Sequence, residues 1–219
     1  MAPGAALLDL LLPMPCAACG AEAPRGWCHP CAQEARGLVL PGRGQVVLAD
    51  GIHAVGLLAY SGVVRRTLHG LKAGGRHAAA GPLGALLRRA LLPAHLTDPA
   101  TLTWVPATAR RRRQRGMDVP RLLAGPSAVA LLDRVAERPD QTLLRAAERR
   151  HSPAGSFAAR RTLHGPVVLV DDVRTSGATA LAAAGALRSA GAPAVMVLTF
   201  AVAGDDALRA AGAAGSRPP

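Results

Sequence analysis

The sequence predicts an α/β protein with a mainly parallel sheet flanked by helices and a small zinc-binding motif near its start. Two observations predict this class. From residue 52 onward, short apolar runs of strand length alternate with helical patterns, as in right-handed βαβ units. Before residue 38, by contrast, all four cysteines cluster between positions 16 and 31, in a stretch with little periodic structure.

The first half of the main domain contains two apolar runs and two helical patterns. Val64, Leu68 and Leu71 recur at helical spacing, and Ser61 is a suitable N-cap before them. We expect, in chain order, a linker at 38–50, a strand at 52–60, helices at 61–72 and 77–92, and a strand at 102–107 that runs into the basic loop TARRRRQRG.

The second half continues the alternation after a long polar interruption. A connection of that length in a compact domain is typical of a disordered segment or a functional lid. We expect a helix at 118–136, an arginine-rich polar stretch at 137–165, a strand at 166–170, a helix at 177–191 that ends on glycine, and a strand at 192–203.

Composition limits the functional classes. The chain has 219 residues with 50% hydrophobic and 18% charged, enough for one α/β core and a small appendage. The sequence contains no run of eighteen apolar residues, so it predicts no membrane span. The N-terminus also lacks the pattern of a signal peptide, so we expect a cytoplasmic protein without membrane insertion. The net charge of +12 is only weak support for a polyanionic partner, because the composition of the whole chain is skewed: arginine and alanine are abundant and lysine occurs once.

The cysteines form two C-x-x-C pairs, and Gly20 directly after the first pair suits a tight turn. Two such pairs complete a tetrahedral Cys₄ site, with no position open for substrate, so we expect structural zinc. Two disulfides are the alternative, but nothing in the sequence indicates secretion. The predicted ligands are Cys16, Cys19, Cys28 and Cys31.

The stretch PVVLVDDVRTSGAT (166–179) carries the clearest chemistry. Asp171 and Asp172 end an apolar strand, where parallel sheets bind ligands. The loop of small and hydroxyl residues that follows opens a helix, and its N–H groups and hydroxyls suit a phosphate. Carboxylates that can bind hydroxyl groups, next to a loop that can bind a phosphate, indicate a sugar phosphate as the ligand, and a ribose 5-phosphate fits well. No G-K-[ST] occurs, so this is not a P-loop.

Two basic features stand out. Lys72 is the sole lysine, and two explanations fit equally well: a compact ammonium is required at this position, or the residue is retained by chance. The run of arginines at 110–115 could grip pyrophosphate or the backbone of single-stranded DNA, or could form a solvated face. Aromatic residues make up 2% of the chain, so specific base stacking is unsupported.

LVDDVRTSGAT resembles the phosphoribosyl-pyrophosphate (PRPP) motif of type I phosphoribosyltransferases. The wider pattern, over about residues 7–203, is similar to the ComF/GntX family, which is associated with DNA uptake in bacteria. Its elements follow the family's order: the cysteine pairs, LHGLKAGG, WVPATARRRRQRGMDVPRLLA, QTLLRAAERRHSPAGSF and the motif itself. Three positions differ from the family pattern: Thr108 replaces the second proline of V-P-x-P, Ser152 replaces an asparagine, and Ser176 replaces a threonine.

The resemblance implies a type I phosphoribosyltransferase-like fold and a set of site residues. Catalytic roles fall on Asp171, Asp172 and Lys72, with Mg²⁺ near the two acids. The 5-phosphate would lie on the motif loop, and the pyrophosphate near the loop after the second strand. The implied binding residues are Val173, Arg174, Thr175, Ser176, Gly177, Ala178, Thr179, Val105, Pro106, Arg76 and Arg115. The polar stretch at 137–165 would be a mobile hood.

Two functions stay open. One is a phosphoribosyltransferase, a glycosyltransferase whose acceptor is unidentified and for which no residue stands out as general base. The other is a non-catalytic accessory protein of DNA uptake (competence) that binds single-stranded DNA or partner proteins. The expected organisation is a zinc motif at 1–37, a phosphoribosyltransferase-like domain at 38–204 and a disordered tail at 205–219.

Overall fold

The computed structural model describes residues 14–91, 100–135 and 156–204. The predicted tail at 205–219 and most of the predicted hood lie outside these ranges. Within them, no helix is long and apolar enough to cross a lipid bilayer.

The described residues contain a five-stranded sheet in the order β1-β2-β7-β6-β3 and a separate two-stranded sheet of β4 and β5. In the larger sheet β1 pairs antiparallel with β2, and the other neighbours are parallel. The strands are β1 (Val46–Val47), β2 (His53–Ala59), β3 (Thr101–Trp104), β4 (Leu132–Arg134), β5 (Phe157–Ala159), β6 (Val167–Arg174) and β7 (Val195–Val202).

Helices cover both faces of the larger sheet, as the alternation of patterns predicts. They are α1 (His29–Arg36), α2 (Gly62–Lys72), α3 (Ala80–Leu91), α4 (Ala109–Arg115), α5 (Val119–Ala124) and α6 (Ala178–Ser189). Short 3₁₀ segments lie at Pro41–Gly44, Ala49–Gly51 and His77–Ala79. The described part is therefore α/β with a mostly parallel central sheet, and the cysteines lie near its N-terminal end.

Strand β6 shows how alternating side chains supply two cores. Val168 and Val170 pack in a cluster with α2, α3 and the cysteine region. Val167 and Leu169 point the other way and pack with α6 and the smaller sheet. This apolar strand buried on both faces is the run that the sequence predicted at 166–170, and the structure extends it to Arg174.

Two local expectations were wrong. The helix expected at 118–136 ends at Ala124, because Gly125 has φ 89° and ψ 178°, which are not helical, and Pro126 follows it. Strand β4 begins at Leu132. The basic loop contains α4, whose first turn is capped by Thr108 Oγ1, which accepts the Arg111 N–H at 3.2 Å.

The start of α2 is at the predicted N-cap residue, but a distant side chain supplies the capping hydrogen bond. Ser61 occupies the N-cap position, but its side chain makes no capping hydrogen bond with any described residue. Glu34 instead reaches across from α1, and its Oε1 accepts the Val63 N–H at 2.8 Å. A sequence pattern finds local caps only, so this long-range cap was not predictable.

A glycine permits the close packing of α3 on α5. A Cβ atom at Gly84 would lie 2.3 Å from the Leu123 carbonyl oxygen and 2.8 Å from its Cα. Arg88 binds the same carbonyl at 2.5 Å. Helix α5 directly follows Asp118, and its first residues line a cleft at the end of β6, so this packing also supports a wall of that cleft.

We therefore expect Gly84→Ala to lower the free energy of unfolding by about 1–3 kcal/mol, because backbone must move to admit the methyl group. The matched control is Gly81→Ala on the same helix, where an added Cβ meets nothing within 4 Å. That control should be neutral or stabilising by up to about 1 kcal/mol. Urea unfolding of both variants makes the comparison, and equal effects would contradict the packing account.

Candidate functional site

The candidate site is a cleft at the carboxyl end of β6. Strand β3 pairs with β6 only as far as Trp104 opposite Val170, and Val105 N–H adds one bond to the Val170 carbonyl at 2.9 Å. Strand β6 continues along β7 to Arg174. Residues 171–174 therefore extend past the end of β3, and a cleft of about 250 Å³ opens beside them.

The two acids predicted from the sequence both line this cleft, and they differ in their partners. Asp172 Oδ2 forms an ion pair with Lys72 Nζ at 2.6 Å, at the last residue of α2. Asp171 is 8% exposed, and its Oδ1 accepts the Asp172 N–H at 2.8 Å. The structure thus brings together Lys72, Asp171 and Asp172, which sequence reasoning had grouped only through a resemblance.

The carboxyl group of Asp171 holds its proton more tightly than an ordinary aspartate. Burial raises its pKa from 3.8 to about 8, and the charge of Asp172 adds to the rise. The Asp172 N–H and the Lys72 ammonium act in the opposite direction and are outweighed. A cation or a hydrogen-bonding ligand in the cleft would favour the ionised form.

The loop after β6 forms the second wall. Gly177 has φ +79°, in the left-handed region that favours glycine, and it is the N-cap of the twelve-residue helix α6. Thr175, Gly177 and Thr179 line the cleft together with Val173 and Arg174. The Ser176 hydroxyl instead accepts the Ala178 N–H at 3.4 Å, so these two residues shape the turn. Two threonines and the N-terminal end of α6 therefore line the same cleft as the acids.

Arg174 is buried, and its Nη2 donates to the Gly44 carbonyl at 3.0 Å. This bond ties the end of β6 to the segment before β1. The structure thus gives Arg174 a bond within the fold as well as a place on the cleft wall.

The opposite wall comes from the segment after β3. Val105, Pro106 and Ala107 line it, as does Arg111 of α4. Arg134 of β4 also lines the cleft; its guanidinium carbon lies 4.9 Å from the centre of the Phe157 ring. No sequence pattern indicates Arg134 as a site residue, because the segment around it is predicted to be helical.

Asp118 is a second cleft residue, besides Arg134, that the sequence analysis did not predict. It lies in the cleft wall, is 8% exposed, and its Oδ2 accepts the Ala107 N–H at 3.0 Å. Its Oδ1 has no hydrogen-bond partner of acceptable geometry among the described residues. Burial raises the pKa of Asp118, and the charge of Asp172 contributes in the same direction; the Ala107 N–H, the Trp104 indole and Arg112 oppose it. The available signal was an acid directly before the V-P start of a helix.

Three of the predicted binding residues, Ser176, Ala178 and Arg76, are not among the described residues that line the cleft. Arg76 contacts the cysteine region, where its Nη1 donates to the Ala17 and Ala18 carbonyls at 3.2 and 3.0 Å. Arg115 is the last residue of α4, and its side chain lies outside the described part of the structure.

The four cysteine sulfurs converge on one point. Their Sγ atoms all lie within 4.8 Å of one another, and those of Cys19 and Cys28 are 3.6 Å apart. Tetrahedral zinc with Zn–S bonds of about 2.3 Å places its sulfurs about 3.8 Å apart, so this arrangement fits. A disulfide needs about 2.05 Å, and all four thiols are free. The cysteines could therefore hold a metal ion such as zinc.

The thiols differ in acidity. Burial opposes ionisation of Cys16, but the N–H groups of Cys19, Cys28 and Ala18 outweigh it and lower the pKa to about 6. Burial and the neighbouring thiols raise the pKa of Cys31. Thiols held this close cannot all ionise without a cation, so metal binding would release protons.

No family model matches this chain, and the curated proteins contain no match.

We expect Cys19→Ser to weaken zinc binding about 100-fold or more, because it removes one of four thiolates without disturbing a buried side chain. His29→Ala is the matched control, since His29 is exposed and lies between two of the cysteines. Metal analysis and the thiolate-to-cobalt absorption of the Co²⁺-substituted protein measure the effect. Zinc retained equally by both variants would contradict the assigned ligands.

The raised pKa of Asp171 predicts how stability depends on pH. An acid with a folded pKa of about 8 and an unfolded pKa near 3.8 keeps its proton in the folded state while the unfolded chain loses it. The free energy of unfolding should therefore fall as pH rises from about 4 to about 8, by on the order of a few kcal/mol.

Asp171→Asn should flatten this profile and stabilise the protein at pH 8, when measured without Mg²⁺ or ligand. Asp133→Asn, which changes an exposed acid paired with Arg160, should keep the wild-type slope. Denaturant titrations across this pH range provide the measurement. A slope unchanged by Asp171→Asn would show that Asp171 titrates normally.

Proposed function

We propose that this protein binds PRPP with Mg²⁺ and transfers its phosphoribosyl group to an acceptor. The observation that carries the proposal is the shared cleft: two adjacent strand-end acids, a lysine and a phosphate-type loop all line it. The resemblance of LVDDVRTSGAT to the PRPP motif, and of the wider pattern to the ComF/GntX family, supports the same ligand. In this proposal the fold is that of the type I phosphoribosyltransferases.

Each wall of the cleft has a role in this proposal. Asp171 and Asp172 accept hydrogen bonds from the ribose hydroxyls. The N–H groups and hydroxyls of residues 175–179, at the positive end of α6, bind the 5-phosphate. Pyrophosphate lies near Val105 and Pro106, where Arg111 and Lys72 supply positive charge.

The carboxylates of Asp171 and Asp172 are the oxygen ligands that Mg²⁺ prefers, so they fit a magnesium–PRPP complex. When bound, Mg²⁺ would neutralise charge on the pyrophosphate. Asp118 adds a third carboxyl group to the same cleft, and its electrostatic coupling to Asp172 further favours a cation there.

The reaction breaks the bond between the anomeric carbon and the pyrophosphate oxygen, whose electron pair leaves with pyrophosphate. A nucleophile, usually nitrogen, forms the new bond to that carbon and gives up its proton. The carbon acquires oxocarbenium character on the way, as in glycoside hydrolysis. Positive groups fixed near the leaving oxygens stabilise the departing charge. The acceptor is unidentified.

A second candidate function rests on the surface of α4. Arg110, Arg111, Arg112 and Arg113 are all exposed, so this short helix presents four consecutive arginines beside the cleft. Such a surface suits a nucleic-acid backbone, and the family resemblance points to single-stranded DNA and to proteins of DNA uptake. In that role the protein binds DNA with a steep salt dependence and consumes no PRPP.

Calorimetric titration of PRPP with Mg²⁺ into the zinc-loaded protein distinguishes the two functions. We expect binding that Asp171→Asn/Asp172→Asn weakens about 100-fold or more, because charged hydrogen bonds to the ribose are lost. Asp133→Asn should bind like wild type. A screen of nitrogen acceptors for pyrophosphate release then tests turnover.

A folded, zinc-loaded wild-type protein that does not bind PRPP would overturn the proposed enzyme. Salt-dependent binding of single-stranded DNA that Arg110→Ala/Arg113→Ala weakens would then support the second function. Equal PRPP affinity in the wild type and the double aspartate variant would place the ligand elsewhere.

A further inference from the structure

Helix α2 is fastened to the cysteine region along its length. We call residues 14–36, which hold the four cysteines and α1, the cysteine module. At the start of α2, Glu34 accepts the Val63 N–H at 2.8 Å and pairs with Arg66 at 2.6 Å. In the middle, the Trp27 indole N–H donates to Thr67 Oγ1 at 2.7 Å in a buried position.

The end of α2 contacts the turn at residues 16–19, which holds the first cysteine pair. A Cβ atom at Gly70 would lie 2.0 Å from the Ala17 carbonyl oxygen, so only glycine permits this approach. Arg76 donates to the Ala17 and Ala18 carbonyls, which lie between Cys16 and Cys19. Its own N–H returns to the Gly70 carbonyl at 3.2 Å. Arg76 therefore joins the last turn of α2 to the first cysteine pair.

The same last turn carries Lys72. Its ammonium lies 2.6 Å from Asp172 Oδ2, and the two side chains are 24% and 15% exposed. Lysine has a long, flexible side chain, so holding its ammonium at one carboxylate depends on a fixed backbone. Here the backbone is fixed from outside the cleft, by the cysteine module.

We propose that Arg76 is a positioning residue that couples the metal-binding cysteines to the ligand cleft through Lys72. With the cysteines gathered by a metal, the Ala17 and Ala18 carbonyls are held in place, Arg76 anchors the end of α2, and Lys72 reaches Asp172. The family resemblance implies a direct ligand contact for Arg76, whereas in this proposal its effect on the ligand is indirect. The part that concerns PRPP rests on the proposed function, whereas the Lys72–Asp172 pair does not.

The first test needs no ligand. A double-mutant cycle with Lys72→Met and Asp172→Asn measures the coupling of the pair as a ratio of unfolding constants, expected to be about three- to tenfold in the zinc-loaded wild type. Arg76→Met, which keeps an apolar stem without the donors, should reduce it below about twofold at unchanged zinc content. Arg65→Ala, which changes an exposed arginine of α2, should leave it unchanged.

Wild-type coupling retained in Arg76→Met, or no coupling in the wild type, would overturn the proposal. Arg76→Lys should restore part of the coupling. If Arg76→Met fails to fold or to bind zinc, Arg76→Lys alone decides: reduced coupling supports positioning, and unchanged coupling contradicts it.

The second test uses PRPP with Mg²⁺. Arg76→Met should weaken binding about three- to tenfold in the wild type and have no further effect in Lys72→Met, because Arg76 acts through Lys72. Independent, multiplying effects would overturn this mechanism. If the wild type binds no PRPP, the proposed function fails by itself, and the ligand-free cycle still decides the positioning role.

Discussion

The unequal lengths of two neighbouring strands determine most of the site. Strand β6 keeps its hydrogen bonds to β7 beyond the point where β3 ends, so the backbone at residues 171–174 is held on one side and open on the other. The carboxyl groups of Asp171 and Asp172 therefore lie at the edge of a cleft while their backbone keeps its strand geometry. The loop after β3 and the N-terminus of α6 then close around the same space.

Carboxyl groups in so buried a place require compensation. Asp172 obtains it from Lys72, whereas Asp171 and Asp118 respond with raised pKa values. Carboxyl groups held this close together in a buried cleft repel one another when ionised, which favours a ligand that brings positive charge. The same reasoning applies at the cysteines, where close thiols favour a metal ion. The two sites are joined by α2, whose end contacts both.

Sequence reasoning identified the features that depend on local pattern. The apolar run before Asp171, the spacing of the cysteine pairs and the helical periodicity of α2 are each visible over a few residues, and the structure contains all three. The helix expected at 118–136 is shorter in the structure, because Gly125 and Pro126 end it although the apolar pattern continues around them.

Contacts between segments that are distant along the chain could not be predicted from local sequence patterns. Glu34 caps a helix 29 positions away, and Arg76 binds a turn about 59 positions away. Asp118 lies in the cleft wall directly before α5, and α5 packs closely on Gly84 of α3. A basic residue near a predicted site is naturally assigned to the ligand, and only the three-dimensional arrangement shows that Arg76 contacts the cysteine turn instead.

A crystal structure of the zinc-loaded protein with PRPP and Mg²⁺ is the most direct test of the central claim. We predict the 5-phosphate within hydrogen-bond distance of the backbone N–H groups of residues 175–179, and the ribose hydroxyls on Asp171 and Asp172. A sugar phosphate bound elsewhere, for example on the arginines of α4 with the acids uncontacted, would contradict the account.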